Sequence, residues 1–203
     1  MKVVKLGEEL LRQKAEPVLP EEINDDLRAF IDEMFDVMIK LDGVGFAGPQ
    51  AGVSKRFFIA LADDEVRRVF INPQIISTSQ ELCDFEEGCL SIPKTYETIK
   101  RPAKVTVQAF NEKGRPFTIE AEGLLARIIQ HEYDHLEGIL FIDRGDKEFA
   151  EKTEQQFKKR AEKERKKQRE KLEKERRIAA KKAADHGRTL VSADLSINLH
   201  AQL

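Results

Sequence analysis

The chain has 203 residues, of which 40% are hydrophobic and 35% charged, and its formal net charge at pH 7 is −2. This length suits one domain with an extension, and the amino-terminal residues lack the apolar run of a signal peptide. No stretch approaches the roughly 20 apolar residues that a transmembrane helix needs, so we expect a soluble protein with no membrane partner. Two cysteines, Cys83 and Cys89, do not make a disulfide framework, and a reduced, cytoplasmic setting is the simpler expectation.

A first long helix is predicted over residues 24–41. Asn24 can cap it, and the two aspartates that follow lie where the helix dipole favours negative charge. Its apolar residues recur at helical spacing and predict a core-facing stripe, formed by Leu27, Ile31, Met34, Met38 and Leu41.

Several short strands are predicted after this helix and the glycine-rich loop at 42–53. They occupy residues 57–62, 69–73, 104–110, 115–121 and 139–143. A second helix is predicted at about 122–137, and Gly138 closes it. Because helices and strands do not alternate as in a doubly wound sheet, this order favours an α+β fold with antiparallel β-sheets packed around a central helix.

The carboxy-terminal part differs in composition from the rest. Residues 147–184 are almost all Lys, Arg, Glu, Gln and Ala, which favour helix, and sparse apolar residues sustain no coiled-coil heptad. Residues 151–188 contain 16 Lys or Arg and 8 Asp or Glu, which is typical of a polyanion-binding extension or of a solvated helix. We predict a domain at 1–146, a long charged helical extension at 147–185 and a disordered tail at 186–203.

The segment QHEYDHLEG, at residues 130–138, indicates a metal site. On a helix, His131 and His135 lie one turn apart on one face and can bind one ion, with Glu132 beside them as a general base. This short pattern also recurs by chance, and a plain surface helix is the alternative.

A catalytic site of this kind needs a third protein ligand. In long-motif metalloproteases that ligand lies three residues past a glycine, but the position is Phe141 here, which cannot ligate. The upstream segment EEGCLSIP offers Cys89, because a thiolate binds zinc or ferrous iron strongly. A lone cysteine is otherwise most often a small buried side chain.

Taken together, these residues resemble the peptide deformylase family (the polypeptide deformylases), enzymes that remove formyl from the N-terminal methionine of new polypeptides. Three motifs are similar to the family's in order and spacing: GVGFAGPQ at 43–50, EGCLS at 87–91 and QHEYDH at 130–135. The resemblance covers about residues 1–145, so that the predicted domain would be catalytic. Gly48 stands where the family usually has alanine, and the missing methyl is expected only to loosen the loop slightly.

The resemblance implies one divalent metal ion per chain, with water in its fourth position and three ligands: Cys89, His131 and His135. Ferrous iron is the expected ion, and zinc, nickel or cobalt also suit one thiolate and two imidazoles. The resemblance further implies that Glu132 is the general base that deprotonates the water. It assigns the oxyanion to the Gln50 side-chain amide and the Leu90 backbone N–H.

Substrate residues are expected beside the metal, and the substrates implied are N-formylmethionyl nascent peptides. Gly43 and Gly45 flank the channel in this interpretation, because small residues let the substrate backbone approach. Val44, Leu124 and Ile128 are candidates for the apolar methionine pocket, with plain core packing as the alternative for each.

Three further side chains are expected to support the site. Glu87 and Arg101 are predicted to form an ion pair that fixes the loop carrying Cys89. Arg127 is expected to direct its charged head to solvent or to a carboxylate. Asp134 is expected to brace the site rather than to bind metal.

Some family members dock on the ribosome through a C-terminal helix, so the basic extension is a candidate ribosome-binding element, and no DNA partner is expected. Two other hypotheses stay open. A metallopeptidase or other metal amidase would need a third ligand other than Cys89. An RNA- or ribosome-binding protein with an inactive body would be expected to have lost at least one of the metal ligands, Glu132 or Gln50, and all of these are present.

Overall fold

The computed structural model of the protein describes residues 1–199, with side chains described up to residue 177. The chain divides into two compact units, Met1–Phe157 and Lys158–Leu203. Within the described part, none of the helices combines the length and apolarity that crossing a bilayer requires.

Three α-helices lie in the described residues: α1 Asp25–Lys40, α2 Gly123–Leu136 and α3 Lys147–Leu199. α1 begins as predicted, because the Asn24 side chain accepts a hydrogen bond from the Leu27 N–H at 3.1 Å. The predicted apolar stripe is buried at its centre, whereas Leu41 lies past the end of the helix and is exposed.

The strands of the described residues form two antiparallel sheets. Their bounds are β1 Gly45–Ala47, β2 Phe57–Leu61, β3 Arg67–Thr78, β4 Leu82–Cys89, β5 Ile92–Pro102, β6 Lys104–Phe110 and β7 Pro116–Glu122. Five of them form a sheet in the order β1-β2-β3-β6-β7, and β4 pairs with β5. Each pairing is antiparallel, which confirms the predicted α+β class, and the predicted strands at 104–110 and 115–121 form a hairpin as β6 and β7.

The five-stranded sheet is covered on both faces, and this explains why β2 is apolar throughout. Phe58 belongs to the same buried cluster as Ile129 of α2, whereas Phe57 and Ile59 belong to the cluster of Met34 of α1. Because alternate residues of a strand point to opposite faces, β2 lies between the two helices. The sheet therefore holds α2 in a fixed position at the centre of the fold.

The predicted strand at 139–143 is wrong. The segment instead contains a 3-10 helix at Phe141–Arg144, and Asp143 caps it by accepting a hydrogen bond from the Leu140 N–H at 2.7 Å. Residues 140–142 are buried because they join a third core cluster, so their apolar character reflects core packing and not strand pairing.

Three strands, β1, β4 and β5, lie outside the five predicted strand segments. β1 lies in the glycine-rich loop, which also contains a 3-10 helix at Pro49–Ala51. β5 follows the cysteine segment, and most side chains of β4 and β5 are exposed, so they carry little of the hydrophobic alternation that marks a strand. Two further 3-10 helices lie at Glu9–Arg12 and Pro20–Glu22.

α3 begins at Lys147, where the helical extension was predicted to begin. In its first turns Thr153 and Phe157 are buried, and both belong to the first unit. The domain limits that the sequence predicted stay predictions. The tail predicted at 186–203 lies beyond the described side chains, and residues 200–203 lie outside the described residues.

Candidate active site

α2 buries polar side chains as well as apolar ones. From Ala126 to Leu136 every residue except Tyr133 is buried, including histidines, acids and an arginine. A buried charge is tolerated only when it is paired or binds a metal, so the partners of these side chains show what the helix holds. Gly138, with a φ of +73°, follows the end of the helix as predicted.

The three predicted metal ligands meet at this helix. His131 and His135 have ring centroids 5.2 Å apart. Cys89 ends β4, next to an irregularity in the pairing with β5, and its sulfur lies 3.3 Å from Nε2 of His135. One donor atom from each of the three residues lies within 4.8 Å of the other two.

This donor set suits a divalent transition metal. One thiolate and two imidazoles are ligands that zinc and ferrous iron accept. Nδ1 of His131 lies 2.8 Å from the Glu87 carboxylate, which leaves Nε2 as the nitrogen for a metal, the usual arrangement of metal-binding histidines. Burial lowers the pKa of His135 well below its ordinary value and so favours the neutral ring that binds metal.

Glu132 lies on α2 beside the candidate ligands, and only 3% of it is exposed. Its Oε2 has no hydrogen-bond partner in the described part of the chain. Burial raises the pKa of this carboxyl to about 7, a value that suits a group that takes up and returns a proton at neutral pH. Gly45 leaves room for it, since a Cβ at that position would collide with Oε1 of Glu132.

Gln50 is held in one orientation at the same site. Its Oε1 accepts a hydrogen bond from the Ala47 N–H at 2.7 Å, and its Nε2 donates to the Cys89 sulfur at 3.3 Å. The amide nitrogen is therefore turned toward the candidate ligands and retains a second hydrogen for another acceptor. Leu90 follows Cys89 between β4 and β5 and lines the cavity described next.

A cavity of about 500 Å³ is lined by Glu132, Gln50, Cys89 and other residues of the site. The five predicted substrate residues all line it: Gly43, Val44, Gly45, Leu124 and Ile128. Leu124 also packs against the core cluster of α2, so core packing accounts for part of its apolar character.

The predicted ion pair between Glu87 and Arg101 is present within a larger buried network. Arg101 donates to both oxygens of Glu87, from Nε at 2.6 Å and from Nη2 at 3.0 Å. Arg127 donates to the same carboxylate at 2.8 Å, so its head reaches a carboxylate, one of its two predicted destinations. Burial acts to raise the pKa of Glu87, but hydrogen bonds with His131 and Arg101 hold that pKa well below its ordinary value.

Asp134 joins this network to the segment after α2. Its carboxylate accepts hydrogen bonds from Arg101 Nη1 at 2.6 Å and from Arg144 Nη2 at 2.6 Å. Asp134 therefore contacts arginines, and the group of candidate metal ligands found among the described residues does not include it. This placement agrees with the expected bracing role.

Three residues beside the site were not predicted from the sequence: Lys5, Phe141 and Arg144. The Phe141 ring stacks on His131 with centroids 5.9 Å apart, and Lys5 donates to the Leu90 carbonyl at 2.6 Å. Phe141 had a signal, because it occupies the third-ligand position of a long metalloprotease motif. Lys5 and Arg144 had no such signal, because a single charged residue outside a motif and outside any helical or strand periodicity does not indicate a site.

Known proteins resemble this chain over the part that carries the site. A model of the polypeptide deformylase family matches residues 1–151. A peptide deformylase of Treponema pallidum (strain Nichols) is 51% identical over 143 residues, which are 70% of this chain and 86% of that protein. One of Fusobacterium nucleatum is 47% identical over 143 residues, which are 70% of this chain and 82% of that protein.

Solved structures agree with the fold. A peptide deformylase from Synechococcus elongatus, in complex with actinonin, is 41% identical with a TM-score of 0.70, over 75% of this chain and 82% of that one. A plant peptide deformylase is 35% identical with a TM-score of 0.75, over 80% of this chain and 91% of that one. These findings confirm the resemblance of the three motifs, and the chain belongs to the polypeptide deformylase family, hydrolases that remove the formyl group from newly made peptides.

Proposed function

We propose that this chain is a metal-dependent hydrolase that removes formyl from the N-terminal methionine of nascent peptides. The observation that carries the proposal is the meeting of Cys89, His131 and His135 beside the buried carboxyl of Glu132. Hydrolysis of a formamide needs an activated water, a proton carrier and a stabilised oxyanion, and each need has a candidate residue at this site.

Cys89, His131 and His135 would hold one divalent metal ion. We expect ferrous iron, with zinc, nickel or cobalt as alternatives that suit the same donors. When bound, the ion supplies Lewis-acid chemistry that makes water nucleophilic near neutral pH. Glu87 supports this role, because its bond to Nδ1 of His131 leaves the other ring nitrogen available.

Glu132 is the proposed proton carrier. Its carboxylate takes a proton from the attacking water while the water oxygen bonds to the formyl carbon. The same group then gives the proton to the amine nitrogen as the carbon–nitrogen bond breaks, so the products are formate and a free amino terminus. A pKa of about 7 supports transfer in both directions at neutral pH.

The formyl oxygen gains negative charge when water adds, and two donors are proposed to stabilise it. One is the Gln50 amide nitrogen, which the Ala47 N–H orients before any substrate binds. The other is the backbone N–H of Leu90, which lines the same cavity. Loss of one preorganised donor of this kind costs about 2.7–4 kcal/mol of activation free energy.

The substrate is proposed to bind as an extended chain along residues 43–45. β1 is an edge strand of the five-stranded sheet, which is where an extended peptide can add as a further strand. Backbone pairing tolerates many side chains, as an enzyme acting on diverse nascent peptides requires. The methionine side chain is assigned to the apolar wall formed by Val44, Leu124 and Ile128.

The basic extension is proposed to bind the ribosome, which would place the enzyme in the cytoplasm beside its substrates. Residues 158–177 contain 12 Lys or Arg and 5 Asp or Glu, and nearly all their side chains are exposed. The alternative is a solvated helix with its own ion pairs, such as Lys171 with Glu175 at 3.9 Å. Binding to ribosomal phosphates would weaken strongly as the salt concentration rises, and this salt dependence distinguishes ribosome binding from a solvated helix.

Anaerobic turnover of a formyl-methionyl peptide, with bound metal quantified, tests the catalytic proposal. Formate release by the wild type, lost in a Glu132→Ala variant that keeps its metal, is the expected result. A fully metallated wild type that releases no formate contradicts the proposal. Retention of metal by Cys89→Ser would favour a different third ligand and another kind of metal amidase. Unchanged activity after long aeration would exclude ferrous iron.

A further inference from the structure

The amino-terminal segment is hydrogen-bonded to both segments that carry the proposed oxyanion donors. The Val4 N–H donates to the Gln50 carbonyl at 2.8 Å, and the Leu6 N–H donates to the Ser91 carbonyl at 3.0 Å. Between them, Nζ of Lys5 donates to the carbonyl of Leu90 at 2.6 Å. Three consecutive residues thus contact a proposed donor residue or its immediate neighbour.

The amino-terminal segment is also held in place by contacts that do not involve the Lys5 side chain. Val3, Val4 and Leu6 are buried, and the amino-terminal ammonium of Met1 forms an ion pair with Glu33 at 2.7 Å. The segment therefore stays in place without the Lys5 side chain. Unlike its buried neighbours, Lys5 is only partly buried, and it lines the cavity.

The Lys5 contact acts on the carboxyl side of Leu90. The proposed oxyanion donor is the N–H of Leu90, in the peptide unit that joins it to Cys89, and the carbonyl that Lys5 holds is in the next unit. On its other side the Cys89 sulfur contacts Gln50 and His135. The peptide unit before Leu90 is thus restrained through Cys89, and the peptide unit after it is restrained by the hydrogen bond from Lys5.

The side chain of Leu90 packs against the core cluster of α1 and closely against Gly43, where a Cβ would lie 2.8 Å from Cδ1 of Leu90. These contacts hold the side chain, whereas the 2.6 Å bond from the Lys5 ammonium restrains the backbone carbonyl of the same residue. Burial lowers the pKa of Lys5, and the proximity of Cys89 opposes part of this effect.

We propose that Lys5 is a positioning residue for the oxyanion, acting through the Leu90 turn rather than by contact with the substrate. The inference rests on the proposed function, since it assumes that Leu90 and Gln50 stabilise the oxyanion. A misplacement of a donor by about 1 Å can cost on the order of a hundredfold in rate, because donors act only where charge develops. Loss of the Lys5 bond should therefore lower kcat and leave substrate affinity unchanged.

The test compares Lys5→Met, which keeps most of the length of the side chain but removes the donor, with Lys5→Arg, which keeps a charged donor. Lys2→Met is the matched control, because Lys2 is exposed and lies in the same segment. We expect kcat for a formyl-methionyl peptide to fall about tenfold or more in Lys5→Met, with KM and bound metal unchanged. Lys5→Arg should recover most of the loss, and Lys2→Met should equal the wild type.

Two outcomes overturn the inference while leaving the proposed function intact. One is an active wild type with an unchanged kcat in Lys5→Met. The other is a loss confined to the thermal midpoint, to bound metal or to KM, which would assign Lys5 a purely structural or binding role. A metallated wild type without deformylase activity would overturn both the inference and the proposed function.

Discussion

The carboxylate of Glu87 lies 2.8 Å from Nδ1 of His131 and is the centre of a buried charge network, with Arg101 and Arg127 as its other partners. The sequence predicted the pair with Arg101 but not the bond to His131. That bond joins β4 to α2 and orients the His131 ring through Nδ1, so that Nε2 would be the nitrogen available to hold a metal. One acidic side chain thus supports both the fold and the site.

Replacement of Glu87 should weaken metal binding and stability together. In Glu87→Gln we expect metal affinity to fall about 10- to 100-fold, because the His131 ring loses its carboxylate partner. The fold should lose about 3–5 kcal/mol, since two buried arginines lose an anionic partner. Metal titration and chemical unfolding check these values, with Asp84→Asn as the control, because Asp84 is exposed on the same strand. Wild-type metal affinity in Glu87→Gln would show that His131 needs no such partner.

A methyl group at position 45 should displace the proposed base. A Cβ there would collide with Oε1 of Glu132 and lie 2.8 Å from Cγ2 of Ile128. We expect Gly45→Ala to keep its metal and to lose on the order of a hundredfold in kcat, because the carboxyl must move from its position. Steady-state kinetics with metal analysis measures this, and a kcat within twofold of the wild type would mean that Glu132 tolerates displacement.

Substitutions of Gln50 can distinguish the role of its accepting oxygen from the role of its donating nitrogen. Gln50→Glu keeps an oxygen for the Ala47 N–H but replaces the donor nitrogen with a second oxygen beside Cys89. We expect kcat to fall about 10²- to 10³-fold, equivalent to about 2.7–4 kcal/mol, in both Gln50→Glu and Gln50→Ala. Gln108→Ala, at an exposed position of β6, is the control. If Gln50→Glu retains full activity, the amide nitrogen is not an oxyanion donor.

Gly48 departs from the family pattern, and the structure changes the expectation for this position. A Cβ at Gly48 would lie 2.6 Å from the Lys55 carbonyl oxygen and 3.1 Å from the Phe57 ring. Because the first of these atoms is backbone, Gly48→Ala should destabilise the fold by about 1–3 kcal/mol instead of tightening the loop. Thermal and urea unfolding decide the sign, and a more stable variant would show that the 53–57 segment moves aside at little cost.

Charge substitution in the extension tests ribosome binding with the full chain. We expect co-sedimentation with ribosomes at low salt to weaken when three exposed lysines become neutral: Lys163→Gln, Lys166→Gln and Lys167→Gln. Neutralisation of three nearby glutamates should not weaken it: Glu162→Gln, Glu164→Gln and Glu170→Gln. Deformylase activity on free peptides should stay at the wild-type level in both triple variants. If co-sedimentation changes neither with the lysine substitutions nor with the salt concentration, the result would favour a solvated helix.

Local patterns predicted those parts of the fold that depend on neighbours in sequence. The Asn24 cap, the buried stripe of α1 and the end of α2 before Gly138 all follow from contacts within a few residues. The same reasoning failed at residues 139–143, where an apolar run looks like a strand. In so short a segment, core burial and strand pairing both produce a run of apolar residues, and only the surrounding packing distinguishes them.

By itself the sequence determined that His131 and His135 share one face of a helix and that Glu132 lies beside them, because helical spacing is a local property of the backbone. The motifs also identified the family. Only the tertiary structure decided that the Cys89 sulfur lies 3.3 Å from His135, that Glu87 holds His131 and that Lys5 reaches Leu90. These contacts join residues 44 to 85 positions apart, and such distances are set by how β4, α2 and the amino-terminal segment pack around the sheet and not by any period along the chain.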